Sequence, residues 1–167
     1  MQYIIDQLEK NCDVFNNILK DENDAMILWK QSPEKWDLLH IVCHLYDEER
    51  DDFRFRVQWV LEKPNDVPPP FNPIKWVTER RYVEQDYKDK LKAFIFERKE
   101  SIKWLKSLQN PKWDNAFEHT QLGSLTAKHF LTNWLAHDYL HMKQILKLKF
   151  DYLQQQSGES LDYAGIW

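Results

Sequence analysis

Trp36-Asp-Leu-Leu-His40-Ile-Val-Cys-His44-Leu-Tyr-Asp-Glu-Glu49 is the stretch on which the fold turns. Leu38, Ile41, Val42 and Leu45 recur at three and four residues, the spacing that stacks side chains on one face of an α-helix. Leu39, Cys43, Tyr46 and Phe53 widen that stripe, which predicts the most buried helix of the chain. Upstream, Ser32 and Pro33 with Glu34 form a start signal, an N-cap followed by a first-turn proline, so helix two is predicted from about Pro33 to Glu62. Within it, His40 and His44 lie one turn apart on a side shared with Asp37, Glu48 and Asp51.

The rest of the chain repeats the helical pattern. Ile4, Ile5, Leu8, Cys12, Phe15, Ile18 and Leu19 mark helix one, roughly 2 to 20, and the segment from Asp24 to Ser32 reads as a loop or a short helical turn. Pro64, Pro68, Pro69, Pro70 and Pro73 remove backbone donors and clash with a preceding turn, so 64 to 75 is predicted as a long crossover in which Phe71 and Trp76 pack against the body. Such links serve as lids or join parallel bundle helices; a plain connector is the simpler reading. Helix three follows from Thr78 or Gln85 to Ser107, and Pro111 ends it. After a loop holding His119 and Gly123, Ser124 is expected to cap a fourth helix to about Gln154, with Phe130, Leu131, Trp134, Ile145 and Leu148 inward. The tail, Ser157 to Trp167, is too aromatic for plain disorder. With only three glycines in 167 residues, a β-sandwich or α/β fold is disfavoured, and the expectation is one all-α domain, 1–167, built as a four-helix bundle.

Charge narrows the function classes. A net charge of -4 lacks the basic footprint of a nucleic-acid binder. No stretch approaches a membrane span, and Asp6 and Glu9 interrupt any signal-peptide pattern near the N-terminus, so a cytoplasmic protein is expected. Cys12 and Cys43 read as reduced, buried small hydrophobes.

The chemistry is concentrated in the histidines. A second pair, His137 and His141, has the same one-turn spacing, where six histidines placed at random would give on the order of 0.2 such pairs. On helix four these two border the apolar stripe beside Trp134 and Phe130, whereas His129 falls opposite it and is expected in solvent. Three histidines from two facing helices would make a metal site with a position left for water, and all four would make a closed, structural one. Spacing alone does not choose between His40 and His44, and it is equally compatible with satisfied structural histidines. Asp138, Glu48 and Glu49 are candidates to orient the imidazoles, although each taken singly reads more simply as a solvated acid.

The run from Trp36 to Glu49, then Arg80-Arg-Tyr82 with Asp86, Phe94 and Arg98, then His137-Asp-Tyr-Leu-His141-Met-Lys-Gln144-Ile145 and the closing Asp162-Tyr163-Ala-Gly165-Ile-Trp167, resembles the DinB/YfiT-like family over most of the chain. The resemblance implies an up-up-down-down four-helix bundle that often dimerises and holds a divalent metal, zinc or nickel, on three histidines. Carried onto this sequence, those ligands are His44, His137 and His141, and His40 is released. It also implies a metal-dependent hydrolase or an S-transferase using a low-molecular-weight thiol, acting on a small molecule. Trp36, Trp134 and the loop around Trp76 are the candidates for the apolar wall of such a site. The alternative is a non-catalytic protein in which the metal serves stability or dimerisation.

Overall fold

The computed structural model describes residues 1–70 and 72–166, so the expected packing of Phe71 and the last tail residue, Trp167, lie outside the described residues. Four long helices form the body. They are α1 (Gln2–Leu19), a second helix, α6 (Tyr87–Ser107) and α7 (Ala127–Ser157). The second helix is continuous in sequence but has three parts: α3 (Leu38–Asp47), a π-helical segment Glu48–Arg54, and α4 (Phe55–Glu62). A short helix α2 (Asp24–Ile27) follows α1, and α5 (Pro73–Glu79) lies in the proline-rich crossover.

Helix two begins later than its sequence suggests. Residues 33 to 37 form a turn, and Asp37 is the cap: its Oδ1 accepts from the His40 backbone N–H at 2.9 Å. Ser32 instead donates from its hydroxyl to Glu34. A capping carboxylate at Asp37 satisfies an end donor directly, whereas Ser32 is separated from the first turn by the rigid Pro33. The same displacement holds at α7, where Thr126, not Ser124, caps by accepting from the His129 N–H. Ser124 belongs to a two-stranded antiparallel hairpin, β1 (Ala116–His119) with β2 (Gly123–Thr126), in the segment read from sequence as a loop. The strands are four residues each, too short for period-2 alternation to announce them, and Phe117 opposite Leu125 buries the inner face.

Helix directions follow from the contacts. Asn11 bonds Asp138, and further along both helices Lys149 donates to the Ile18 carbonyl, so α1 and α7 run parallel. α6 opposes α1, with Tyr87 donating to the Leu19 carbonyl at one end and Lys106 reaching Glu9 at the other. Helix two runs with α6, Lys90 lying over the Tyr46 ring and Arg54 pairing with Glu97. The all-α four-helix bundle with a long crossover between helices two and three is therefore present. In chain order the directions are up-down-down-up, which corrects the up-up-down-down order that the resemblance implied. The long crossover is the physical reason, because parallel neighbours require the chain to return the full length of the bundle.

That crossover is latched to helix two. Arg80 pairs with Asp47 at 2.6 Å and Asp51 at 2.7 Å, Tyr82 donates to Asp47 at 2.7 Å, and Trp76 is buried under Arg80. The tail ends in a 3-10 turn, Asp162–Ala164, with Tyr163 and Ile166 fully exposed. Among the described residues no helix is long and apolar enough to cross a membrane.

The core is split in two. One cluster gathers Phe15, Leu38, Ile41, Leu45, Phe94, Ile145 and Leu148; the other gathers Leu8, Phe53, Val57, Ile102, Leu131 and Trp134. On every long helix the positions between the two clusters are polar and buried: Asn11, Glu49, Arg98 and Asp138. The π-helical segment falls at this layer. An unbroken heptad from Leu38 and Leu45 would turn Asp52 and Trp59 inward, but the added residue brings Phe53 and Val60 inward instead.

The cap assignment has a direct check. Asp37→Ala removes the cap and the partner of the buried His40 ring and should lower the free energy of urea unfolding by about 2–4 kcal/mol, whereas Ser32→Ala should stay within about 0.5 kcal/mol of the parent.

Candidate metal centre

The polar layer opens onto three imidazoles. α3 supplies His44 and α7 supplies His137 and His141, one turn apart on the face toward helix two. His44 Nε2 is 3.2 Å from His137 Nε2, and His141 Nε2 is 3.0 Å from the same atom. One ligand atom from each of the three residues fits within a sphere of mutual separations below 4.8 Å. Four nitrogens arranged tetrahedrally at the usual Zn–N distance would be about 3.3 Å apart, so the observed edges are close to those of a coordination polyhedron. A proton shared between two rings satisfies one lone pair and leaves the third ring facing nitrogen, so hydrogen bonding among neutral imidazoles does not complete the cluster.

Burial keeps the rings neutral. It is the main cause that lowers His44 to about 3 and His137 to about 2, with the neighbouring histidines adding repulsion, and His141 is also lowered. A neutral imidazole is the ligating form. The tautomer of His141 is set by Gln144, whose Oε1 lies 2.8 Å from Nδ1 and accepts its proton, leaving the Nε2 lone pair toward the centre. His44 Nδ1 is buried without a hydrogen-bond partner, 3.9 Å from Glu48 Oε1. Burial and the adjacent Asp52 push the Glu48 carboxyl up to about 9.

The remaining sequence candidates separate cleanly. His40 is buried and spent on Asp37, its Nδ1 2.6 Å from Oδ1, and it takes no part in the cluster. His129 is exposed, as its face predicts. Glu48, Glu49 and Asp138 are all buried, which overturns the solvated reading of each. Glu48 borders His44, but Glu49 and Asp138 bind no imidazole and face Arg98. Cys12 and Cys43 are free and buried, and burial pushes the Cys43 thiol up to about 12, far from a reactive thiolate. Trp36 does pack on the centre, its ring 5.0 Å from that of His44. Trp134 reaches it only through Phe53, which stacks on Trp134 and sits 5.0 Å from His137. Trp76 packs instead under Arg80 in the crossover. Helical periodicity in the sequence does not place Phe53 here, because the π-helical insertion is what turns it toward His137.

The sequence matches the profile of the DinB superfamily over residues 7–145. No curated protein matches it. Among solved structures, YfiT from Bacillus subtilis, described as a probable metal-dependent hydrolase with an unusual four-helix bundle topology, superposes with a TM-score of 0.77. The identity is 17%, and the match covers 95% of this chain and 88% of that one, so what the two share is the fold.

The depressed histidines fix the acid behaviour of the metal-free protein. Unfolded, each takes up a proton near its ordinary value of 6.5; folded, His44 and His137 resist protonation down to about 3 and about 2. Their stability contribution is complete above the unfolded value and is lost as pH falls below it, each by about 1.4 kcal/mol per pH unit. Urea midpoints of metal-free protein should drop between about pH 7 and about pH 5, and His137→Ala should flatten that slope by one proton's worth. Equal slopes in the two proteins would contradict the assignment.

Proposed function

Because the chain belongs to the DinB superfamily, we propose that it is a divalent-metal-binding protein and a metal-dependent enzyme, with His44, His137 and His141 as ligands. The observation that carries this reading is the convergence of three neutral Nε2 atoms with, among the described residues, no anionic side chain completing the set. Three protein nitrogens leave a coordination position open, which is what distinguishes catalytic from structural zinc sites. A bound zinc or nickel ion would supply Lewis acidity there, turning a water or a low-molecular-weight thiol into a nucleophile near neutral pH. The chain's own residues contribute the surroundings: Trp36 and Phe53 exclude water from two sides, and Gln144 holds His141 in its ligating tautomer. Hydrolysis and thiol transfer to an electrophilic small molecule both use that open position.

The reading extends to a homodimer. Tyr139, Leu146 and Leu153 are exposed at seven-residue spacing along α7, the pattern by which one helix packs on another. Leu146→Glu should shift the sedimenting species from two chains to one; an unchanged species would remove α7 from the interface.

Protein purified without a histidine tag should carry about one equivalent of metal, and His44→Ala, His137→Ala and His141→Ala should each lose most of it. Metal-loaded protein should consume a thiol in the presence of an electrophile, or cleave an activated ester, at rates that vanish with chelator. Full metal content with no turnover of either probe class would instead favour a metal serving stability.

A further inference from the structure

Behind the three histidines lies a charge cluster that the proposed chemistry does not use. Arg98 on α6 is 1% exposed, Glu49 on the π-helical segment 1% and Asp138 on α7 0%. The guanidinium grips Asp138 with two bonds of 2.7 Å, and its Nε and Nη2 reach Glu49 Oε2 at 2.9 and 2.8 Å. Asn11 of α1 donates to Asp138 and Trp134 donates to Glu49 Oε2. Burial opposes the charge on Arg98, but Asp138 and Glu49 outweigh it and hold the guanidinium protonated. The count does not balance. Two carboxylates face one cation, and Glu49 Oε1 is buried with no hydrogen-bond partner.

An uncompensated carboxylate at this depth is costly. Asp138 adjoins His137 in sequence, and Trp134, which holds Glu49, stacks on the Phe53 that covers His137. The residues that carry the excess negative charge therefore adjoin the imidazole cluster, Asp138 through the backbone at His137 and Glu49 through Trp134 and Phe53, and a dication on those rings would offset it. The geometry points to Glu49 and Asp138 as positioning residues of the metal centre. Held by Arg98, they fix helix two against α7, so that His44 meets His137 and His141 before metal arrives. Their surplus charge raises the affinity of three neutral ligands for a divalent ion. This inference rests on the metal reading of the three histidines.

The test is zinc affinity measured by competition with a chromophoric chelator, together with urea unfolding of the metal-free protein. Glu49→Gln removes the charge while its amide oxygen can keep the hydrogen bonds of Oε2; it should weaken zinc binding on the order of tenfold or more and leave metal-free stability close to the parent. Glu49→Asp keeps the charge on a shorter arm and should bind within about threefold of the parent although it destabilises the fold more. The reverse order, with aspartate the worse binder, would show that Glu49 acts only by aligning helix two and would overturn the role of its charge. Asp138→Asn removes the other carboxylate and should weaken zinc binding by a similar factor, but both Asp138 oxygens accept hydrogen bonds, so it should also lower metal-free stability. The visible spectrum of the cobalt-substituted protein should be unchanged by Glu49→Gln, because the ligands are the same; a changed spectrum would make Glu49 a ligand and overturn the positioning role. Parent protein that retains no zinc overturns the metal reading itself. Parent protein that binds zinc no better than Glu49→Gln overturns only the role of the charge.

Discussion

The guanidinium of Arg98 is the constraint around which the bundle is organised. It is the point at which all four long helices meet: α6 carries it, helix two and α7 answer it through Glu49 and Asp138, and α1 accepts from it at the Leu8 carbonyl while Asn11 donates to Asp138. Helix packing by apolar contact alone tolerates sliding, since one leucine ridge resembles the next. A bidentate arginine–carboxylate pair does not, because its two parallel bonds exist in one register only. The apolar clusters on either side supply most of the driving force, and the charged layer between them selects which alignment that force stabilises.

The layer also accounts for the π-helical segment. Helix two must present His44 to α7, Glu49 to Arg98 and then resume an apolar face against α7 and the hairpin. Straight α-helical geometry would place Asp52 and Trp59 on that face. One added residue lets Phe53, Val57 and Val60 take it, while Asp52 turns aside to pair with Arg56. The acids that remain near the turn are used on both sides, Asp47 and Asp51 holding the crossover through Arg80 and Tyr82. The crossover thus returns the chain to the start of α6 and pins the helix that carries His44.

Much of this was legible in the sequence where the periodicity of about 3.6 is sustained. The long helices, the proline-rich break and the inward set of α7 follow from spacing, and His137 and His141 stand out because a one-turn pair borders that stripe. What spacing could not supply was the partner from helix two: His40 and His44 are equivalent until the cap is known, and the cap at Asp37 is what takes His40 out of the cluster. Short-range signals misled at both caps, since Ser32-Pro33 and Ser124 satisfy the same rules as Asp37 and Thr126. The burial of Arg98, Glu49 and Asp138 did have a trace. Asp138 falls in the inward heptad with Leu131, Trp134, Ile145 and Leu148, and Arg98 with Leu91, Phe94 and Leu105. A charge at an inward position is the signature of a buried pair, but it identifies its partner only once two helices are known to face each other.

Buried ion pairs are commonly replaceable by apolar side chains with no loss of stability, so this layer is not there because it is the most stabilising filling for a four-helix core. Leucines in place of Arg98, Glu49 and Asp138 would join the two clusters into one and still permit a bundle. They would not hold His44 and His137 with nitrogen atoms 3.2 Å apart, because both imidazoles are themselves disfavoured contents of a core, desolvated and lowered far below their ordinary value. Three neutral imidazoles facing one another cannot all be satisfied by shared protons, so they stay close only when something else fixes the backbones that carry them. The arginine clamp lies one residue from His137 and five from His44, on the same two helices. Its position makes it the structural support of the histidine cluster, and the cost of burying it is the cost of holding three imidazoles where they would not otherwise remain.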